Sequence, residues 1–401
     1  MLALFLTFLL STPPAGEAHS VAPEQARASF ELLVKQAKSA QENNRTDEAL
    51  ALYRKAVALR PAWDDGWWSI GMLTYDKDAY SECTAAFRRL RSLKPDLAPA
   101  WTMSGLCEYR LREYDAASRS LLEAERLGFQ GSAELARSGR LHLALLLTKN
   151  SNFEHALLLC GLLFRSGDST PEVVAAAGVA GLGRPLLLKD VPESDRPLVM
   201  TLGGALEAAF AKSAAEAIKE FQAAVQTYPD EADIHYRFGA FLVKNEPARG
   251  LAEIRRALEL NPSHLPALIT LSLESLNADD YAAARGYAER AVRAAPDNFA
   301  AHLMFGRSLL LETKSRELDT APAKPAPPAK ATSPSKARPI SPTLRDAVHE
   351  LELAVRLAPE SQDAHFSLSS AYALAGRNAD AARERTEYER LRKLDNARTG
   401  R

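Results

Sequence analysis

The chain has 401 residues, with 50 Lys and Arg against 51 Asp and Glu and a formal net charge of −1. A balance this close to neutral argues against nucleic acid as the main ligand, because that role requires a clustered basic surface. The length would accommodate two or three globular domains, but aromatic and β-branched alternation is scarce, so almost no sheet is expected.

In chain order, residues Met1–Leu10 are apolar, Pro13 and Pro14 interrupt them, and Gly16-Glu17-Ala18 offers small residues for cleavage after Ala18. This pattern predicts a signal peptide over 1–18 and an extracytoplasmic protein, periplasmic or secreted. The apolar run is too short to span a bilayer. No later stretch is longer and comparably apolar, so no integral membrane segment is expected in the mature chain.

From Phe30 onward the sequence repeats itself. The first unit holds Ala49, Tyr53, Ala56 and Pro61. The second, from Asp64, holds Trp67, Ile70, Gly71, Cys83, Phe87 and Pro95. The third, from Ala98, holds Trp101, Gly105, Ala117, Leu121 and Ala124. Pro61 and Pro95 lie 34 residues apart, as do Trp67 and Trp101, and Gly71 and Gly105. Self-similarity at this interval predicts stacked helical hairpins. Small residues such as Gly71 and Cys83 let two antiparallel helices approach, while Ile70 and Phe87 fill the seam between them. Each proline ends the second helix of a hairpin, because it cannot continue a helix. These units form an expected N-terminal array over 30–131.

The period lapses over 132–197. Thr170-Pro171-Glu172 supplies an N-cap, a first-turn proline and an early acid, so a helix is expected from Val173 to Leu182. Leu186-Leu187-Leu188 then lies in a proline-bounded loop and is expected to dock on a core. This region reads as a degenerate repeat pair between two arrays, with a hinge as the alternative. A central array follows over 198–312. Its units begin at Leu198 (Ala217, Phe221, Ala224, Pro229), Ala232 (Gly239, Ile254, Ala257, Pro262), Leu265 (Leu271, Ala284, Ala291, Pro296) and Phe299 (His302, Gly306, Leu309). Thr313–Thr343 is rich in Pro, Ala, Lys and Ser and predicts a disordered loop inside one hairpin. The last segment, 344–401, resumes with Leu344, Ala347, Leu351, Ala354 and Pro359. It ends in a unit from Gln362 whose second helix turns polar from Arg383 to Lys393, as a capping helix does.

Aligned on these positions, the units resemble the tetratricopeptide repeat, whose pattern is W-x2-L-G-x2-Y, then A-x3-F-x2-A, then P. The resemblance implies an all-α solenoid of stacked antiparallel hairpins, about nine or ten in all. It also implies a protein-interaction scaffold that binds peptide segments of a partner in its inner groove. In the family, five positions of the first helix face that groove. Carried onto this sequence they are Trp68, Met72, Tyr75 and Asp76 in the second unit, and Thr102, Leu106, Tyr109 and Arg110 in the third. Tyr236 and Lys244 follow in the unit at Ala232, and Arg307 in the unit at Phe299. For Trp68, Met72 and Tyr75 the competing reading is packing against preceding units.

No nucleotide, zinc-protease or serine-hydrolase motif occurs, so no enzymatic activity, cofactor or metal is expected. His235, His302 and His365 occupy the place of Trp67 and Trp101 in their units. Equivalent positions on successive units are at least about 8–10 Å apart, so these three cannot share a metal and read as seam residues. Cys83, Cys107 and Cys160 read as buried small hydrophobes, and an oxidising compartment would also allow a Cys83–Cys107 disulfide. The alternative function is an accessory or substrate-recruiting subunit of an extracytoplasmic secretion or polysaccharide-assembly enzyme.

Overall fold

The computed structural model describes residues 21–319 and 340–399. The described residues form nineteen α-helices and two short 3-10 turns, with no strand among them. The signal peptide expected over 1–18 lies outside the described residues, as does the 320–339 part of the loop expected over Thr313–Thr343. The chain divides into two compact units after Ser213.

In the N-terminal unit, α1 (Val21–Glu42) pairs with α2 (Thr46–Leu59), and α3 (Asp64–Asp76) with α4 (Tyr80–Leu93). Next come α5 (Ala98–Arg110) with α6 (Tyr114–Arg126), α7 (Ala133–Lys149) with α8 (Phe153–Arg165), and α9 (Pro171–Gly181) with α10 (Arg196–Ala211). In the C-terminal unit, α11 (Ala214–Thr227) packs on α12 (Ala232–Leu242), which pairs with α13 (Pro247–Leu260). There follow α14 (Leu265–Asn277) with α15 (Tyr281–Ala294), α16 (Phe299–Asp319) with α17 (Pro342–Leu357), and α18 (Gln362–Leu374) with α19 (Asn378–Thr399). Within each unit one hairpin stacks on the next, which is the all-α solenoid arrangement.

Two local devices recur among the hairpins. The first is a single left-handed residue in the turn: Asn44, Asp78 and Arg112 have φ of 58°, 56° and 61° and recur at the interval of the repeat. The second is a glycine on the first helix that admits a large side chain from the second. A Cβ on Gly71 would come within 2.5 Å of the Phe87 ring, and one on Gly306 within 2.5 Å of Leu351. Phe87, Leu121, Ile254 and Leu351, each facing such a glycine, are accordingly fully buried. Burial of each such side chain contributes about 1.5–3 kcal/mol.

The structure departs from the sequence reading in three places. The sequence pattern joins the helix from Leu198 in a hairpin with the helix carrying Ala217. Instead α10 pairs with α9, and the boundary between the units falls between α10 and α11. The reason is a reciprocal close approach of backbones: a Cβ on Gly178 would sit 2.0 Å from the Val199 carbonyl oxygen, and one on Gly203 2.1 Å from that of Val174. A loop is expected from Thr313 to Thr343, but both described ends of that stretch are helical. Helix α16 continues to Asp319 because Thr313 is buried, with its hydroxyl donating to the Leu309 carbonyl at 2.8 Å. Buried Glu312, meanwhile, takes hydrogen bonds from Arg285 and Arg316. Helix α17 starts at Pro342, where the missing N–H costs nothing, with the Ser341 hydroxyl accepting from the Leu344 N–H at 3.1 Å. Finally, the Thr170 hydroxyl does not cap α9 but donates to Asp168 at 2.9 Å.

Cys83 on α4 and Cys107 on α5 form a disulfide, with Cα atoms 6.1 Å apart. Closing a loop of this length stabilises the chain by about 3 kcal/mol in the entropy account. Cys160 is a buried free thiol, pushed up to about 12 by that burial.

The glycine argument is testable within the C-terminal unit. Gly306→Ala forces a Cβ against Leu351 and should lower stability by about 1–3 kcal/mol. Gly286 is exposed on α15, and a Cβ there would meet nothing within 4 Å. Its replacement by alanine should gain about 0.5–1 kcal/mol. Urea unfolding of both variants checks the pair, and equal effects would refute the close-approach account.

Candidate functional site

Six of the connections between hairpins carry a proline whose carbonyl accepts a hydrogen bond from a side chain of the next hairpin. In the N-terminal unit the Trp67 indole N–H donates to the Pro61 carbonyl at 3.0 Å, and that of Trp101 to Pro95 at 2.7 Å. In the C-terminal unit the Nε2 atoms of His235, His302 and His365 stand 3.0, 2.7 and 3.0 Å from the carbonyls of Pro229, Pro296 and Pro359. Their Nδ1 atoms face Glu253, Glu350 and Glu384 at 2.7, 2.6 and 2.6 Å. Each glutamate lies on the second helix of the same hairpin, so the imidazole ties both the junction and the hairpin. Where Leu268 replaces the donor, Arg290 reaches the Pro262 carbonyl instead, at 3.0 Å. Among the described residues no group of three His, Cys, Asp or Glu could hold a metal.

The side chains available to a partner cluster on the first helices of the second and third hairpins. Trp68, Met72 and Tyr75 are half-buried on α3, packed against the core around Cys83, Phe87 and Leu106. Trp68 meets the Phe87 ring edge-on at 5.4 Å. They pack on their own hairpin and on the following one rather than on the preceding one, and each remains partly exposed. Tyr75 stacks edge-on with Tyr80 at 5.7 Å, and Tyr109 repeats this with Tyr114 at 5.6 Å. Arg110 lies beside Tyr75, whose hydroxyl holds the guanidinium above its ordinary range. Asp76 and Arg110 are exposed.

Tyr109 also meets the edge of His142 on α7 at 4.7 Å. Burial pushes its phenol up to about 12, so it acts as a neutral hydroxyl. Burial likewise lowers His142, against the Ser138 carbonyl that favours its charged form. From the connection after α9, Lys189 donates to the Tyr114 hydroxyl at 2.9 Å. Lys149 and Lys189 both lie over the Tyr114 ring, at 5.7 and 5.6 Å. The result is a strip of tyrosines alternating with cations, suited to apolar and acidic groups of an extended peptide.

Four expected groove residues are placed otherwise. Thr102 is fully buried, its hydroxyl donating to the Ala98 carbonyl at 3.1 Å. Leu106 is buried in the core around the disulfide. Tyr236 is buried beside His264, with ring centroids 5.0 Å apart, and its hydroxyl lies 3.5 Å from that of Thr270. Thr102 and Tyr236 are each covered by the following hairpin. Lys244 is exposed but lies in the turn past the end of α12. Arg307 is half-buried on α16. The sequence reading missed Tyr80 and Tyr114, although their spacing matches that of Tyr75 and Tyr109. It had no signal for His142, Lys149 or Lys189.

No helix among the described residues is long and apolar enough to cross a membrane. The tetratricopeptide repeat family model matches residues 269–317 and 344–393. No curated protein matches. Among solved structures, MamA from Desulfovibrio magneticus RS-1 aligns at 18% identity over 49% of this chain and 94% of its own, with a TM-score of 0.37. Yeast Tom70 aligns at 13% identity over 92% of each chain, with a TM-score of 0.29. YrrB, described as a tetratricopeptide repeat protein with an unusual peptide-binding site, aligns at 17% identity over 63% of this chain and 96% of its own, also at 0.29. These TM-scores are low, and the repeat assignment stands on the family match and the hairpins.

The junction bond makes its own prediction. His302→Phe keeps the ring but leaves the Pro296 carbonyl and Glu350 without their donor, and should cost about 1–3 kcal/mol. His302→Trp, which restores the donor used at Trp67 and Trp101, should recover part of that loss. Thermal unfolding of both variants provides the check.

Proposed function

We propose that this tetratricopeptide repeat protein is a non-enzymatic scaffold that holds an extended segment of a partner protein against the tyrosine strip of its N-terminal unit. The observation that carries this reading is the recurrence of one aromatic pair, Tyr75–Tyr80 and Tyr109–Tyr114, on successive hairpins with Arg110 beside it. A pair repeated at the spacing of the hairpins suits an extended peptide, which presents side chains at regular intervals. Trp68 and Met72 extend the strip with apolar contact area, and Asp76 and Arg110 supply charged groups at its edge. The reading takes in Trp68, Met72, Tyr75, Asp76, Tyr109 and Arg110, and leaves out Thr102, Leu106 and Tyr236, whose burial removes them from any partner. Lys244 and Arg307 belong to the C-terminal unit and have no part in it. No observation favours the accessory-subunit alternative.

The same reading places the protein outside the cytoplasm. Two features support this: the apolar stretch Met1–Leu10 with its small-residue site at Ala18, and the Cys83–Cys107 disulfide, a bond that persists in oxidising compartments. N-terminal sequencing of the protein recovered from its native cell should give a chain that begins at His19. An intact Met1 would overturn the assignment.

Peptides selected from a random display library against the full chain provide the binding test. Tyr75→Ala and Tyr109→Ala should each weaken the selected peptide by about 1–3 kcal/mol, as interface aromatics do, with little change in melting temperature. Leu121→Ala, fully buried, should behave oppositely and lower stability by about 2–5 kcal/mol. Tyrosine variants that melt early yet bind normally would show these residues to be core, and the strip would no longer stand as a binding face.

A further inference from the structure

A second cleft, of about 550 Å³, opens between α4, α5 and α6 in the N-terminal unit and uses none of the tyrosines. Its walls carry Arg88 and Arg91 from α4, Trp101 and Glu108 from α5, and Arg119 and Ser120 from α6. The three arginines are not equivalent. Arg91 is fixed: its guanidinium lies over the Trp101 ring at 4.3 Å, donates to the Ser120 hydroxyl at 2.8 Å and stands 3.8 Å from Glu108. Only 14% of the Arg91 side chain and 4% of the Glu108 side chain are exposed.

Glu108 is itself saturated. Its two oxygens accept from the Ser104 hydroxyl at 3.2 Å and the Ser120 hydroxyl at 2.7 Å, and Arg91 offsets its charge. Glu123, also on the cleft wall, is held by Arg126 at 2.6 Å. With the acidic groups occupied, Arg88 and Arg119 remain. Both are exposed, and neither has a carboxylate within ion-pair distance among the described residues. The disulfide between Cys83 and Cys107 ties together the two helices that bear Arg88, Arg91 and Trp101, so the walls are braced before any ligand arrives. A braced site loses less freedom on binding than a flexible one.

We propose that this cleft binds an anionic oxygen group, phosphoryl or carboxylate, presented by a side chain of a partner polypeptide. Arg88 and Arg119 close on the anion with forked N–H donors, a geometry that matches both groups. Trp101 and the aliphatic stem of Arg91 form an apolar floor beside it. The site is independent of the tyrosine strip, since it uses other side chains and opens along α4 and α6.

The test uses the full chain and three labelled peptides of one sequence, bearing at the centre a phosphoserine, a glutamate or a glutamine. Fluorescence anisotropy at low salt should show binding of the phosphoserine or the glutamate peptide, or both, and none of the glutamine peptide. The stronger of the two identifies the source of the anion. The double variant Arg88→Gln, Arg119→Gln alters exposed residues and should keep its helical circular dichroism while binding about tenfold more weakly or worse. Added inorganic phosphate should compete with the bound peptide. The double variant Tyr75→Ala, Tyr109→Ala should leave this binding unchanged, which separates failure here from failure of the peptide strip. Equal binding of all three peptides, binding unaffected by the arginine substitutions, or no binding of any peptide would overturn the proposal.

Discussion

The hydrogen bond from a ring or side-chain N–H to a proline carbonyl is the constraint that recurs at six of the connections from one hairpin to the next. A proline that ends a helix donates nothing, and its carbonyl lies outside the backbone ladder at an exposed connection, where a side-chain N–H can reach it. Here the donor always comes from a later hairpin: Trp67, Trp101, His235, His302 and His365, with Arg290 standing in where Leu268 has none. Because acceptor and donor belong to different hairpins, satisfying the carbonyl also sets the register of one hairpin on the next. Each bond is worth only about 1 kcal/mol net, but in a solenoid the interfaces add along the chain.

Tryptophan and histidine fill this role differently. The indole has one donor, and Trp101 gains its second contact through the face of its ring, under Arg91. The imidazole has a second nitrogen, and each of the three histidines turns it toward a glutamate on the companion helix. The N-terminal unit therefore uses the larger ring and the C-terminal unit the bifunctional one. In the N-terminal unit that choice has a consequence beyond packing, since Trp101 and Arg91 together form a wall of the arginine cleft.

The two surfaces of the N-terminal unit both arise from side chains the core does not fully consume. Tyr75 and Tyr109 bury one face against neighbouring rings and leave the other open. Arg88 and Arg119 lie outside the network that satisfies Glu108. Fixed residues stand beside each surface: Phe87 against Trp68 and His142 against Tyr109 on one, and Arg91, held by Trp101 and Ser120, on the other.

The sequence by itself determined the hairpin period, the proline ends of the helices and the glycines at Gly71, Gly105 and Gly306. These depend on local terms: a missing N–H, a missing Cβ, and an apolar stripe repeating along one helix. It also placed Tyr75 and Tyr109 at matching positions. Only the tertiary structure decided which of those positions stay exposed, because burial is set by side chains arriving from other hairpins. Thr102 is covered where a Cβ on Gly139 of α7 would come within 2.8 Å of its methyl group, and Tyr236 by His264 beyond the next helix. The same holds for the pairing of α9 with α10, fixed by Gly178 and Gly203, and for Lys189 meeting Tyr114 across 75 residues of chain. A contact between residues so far apart leaves no periodic trace in the sequence, since it depends on the path of the intervening chain.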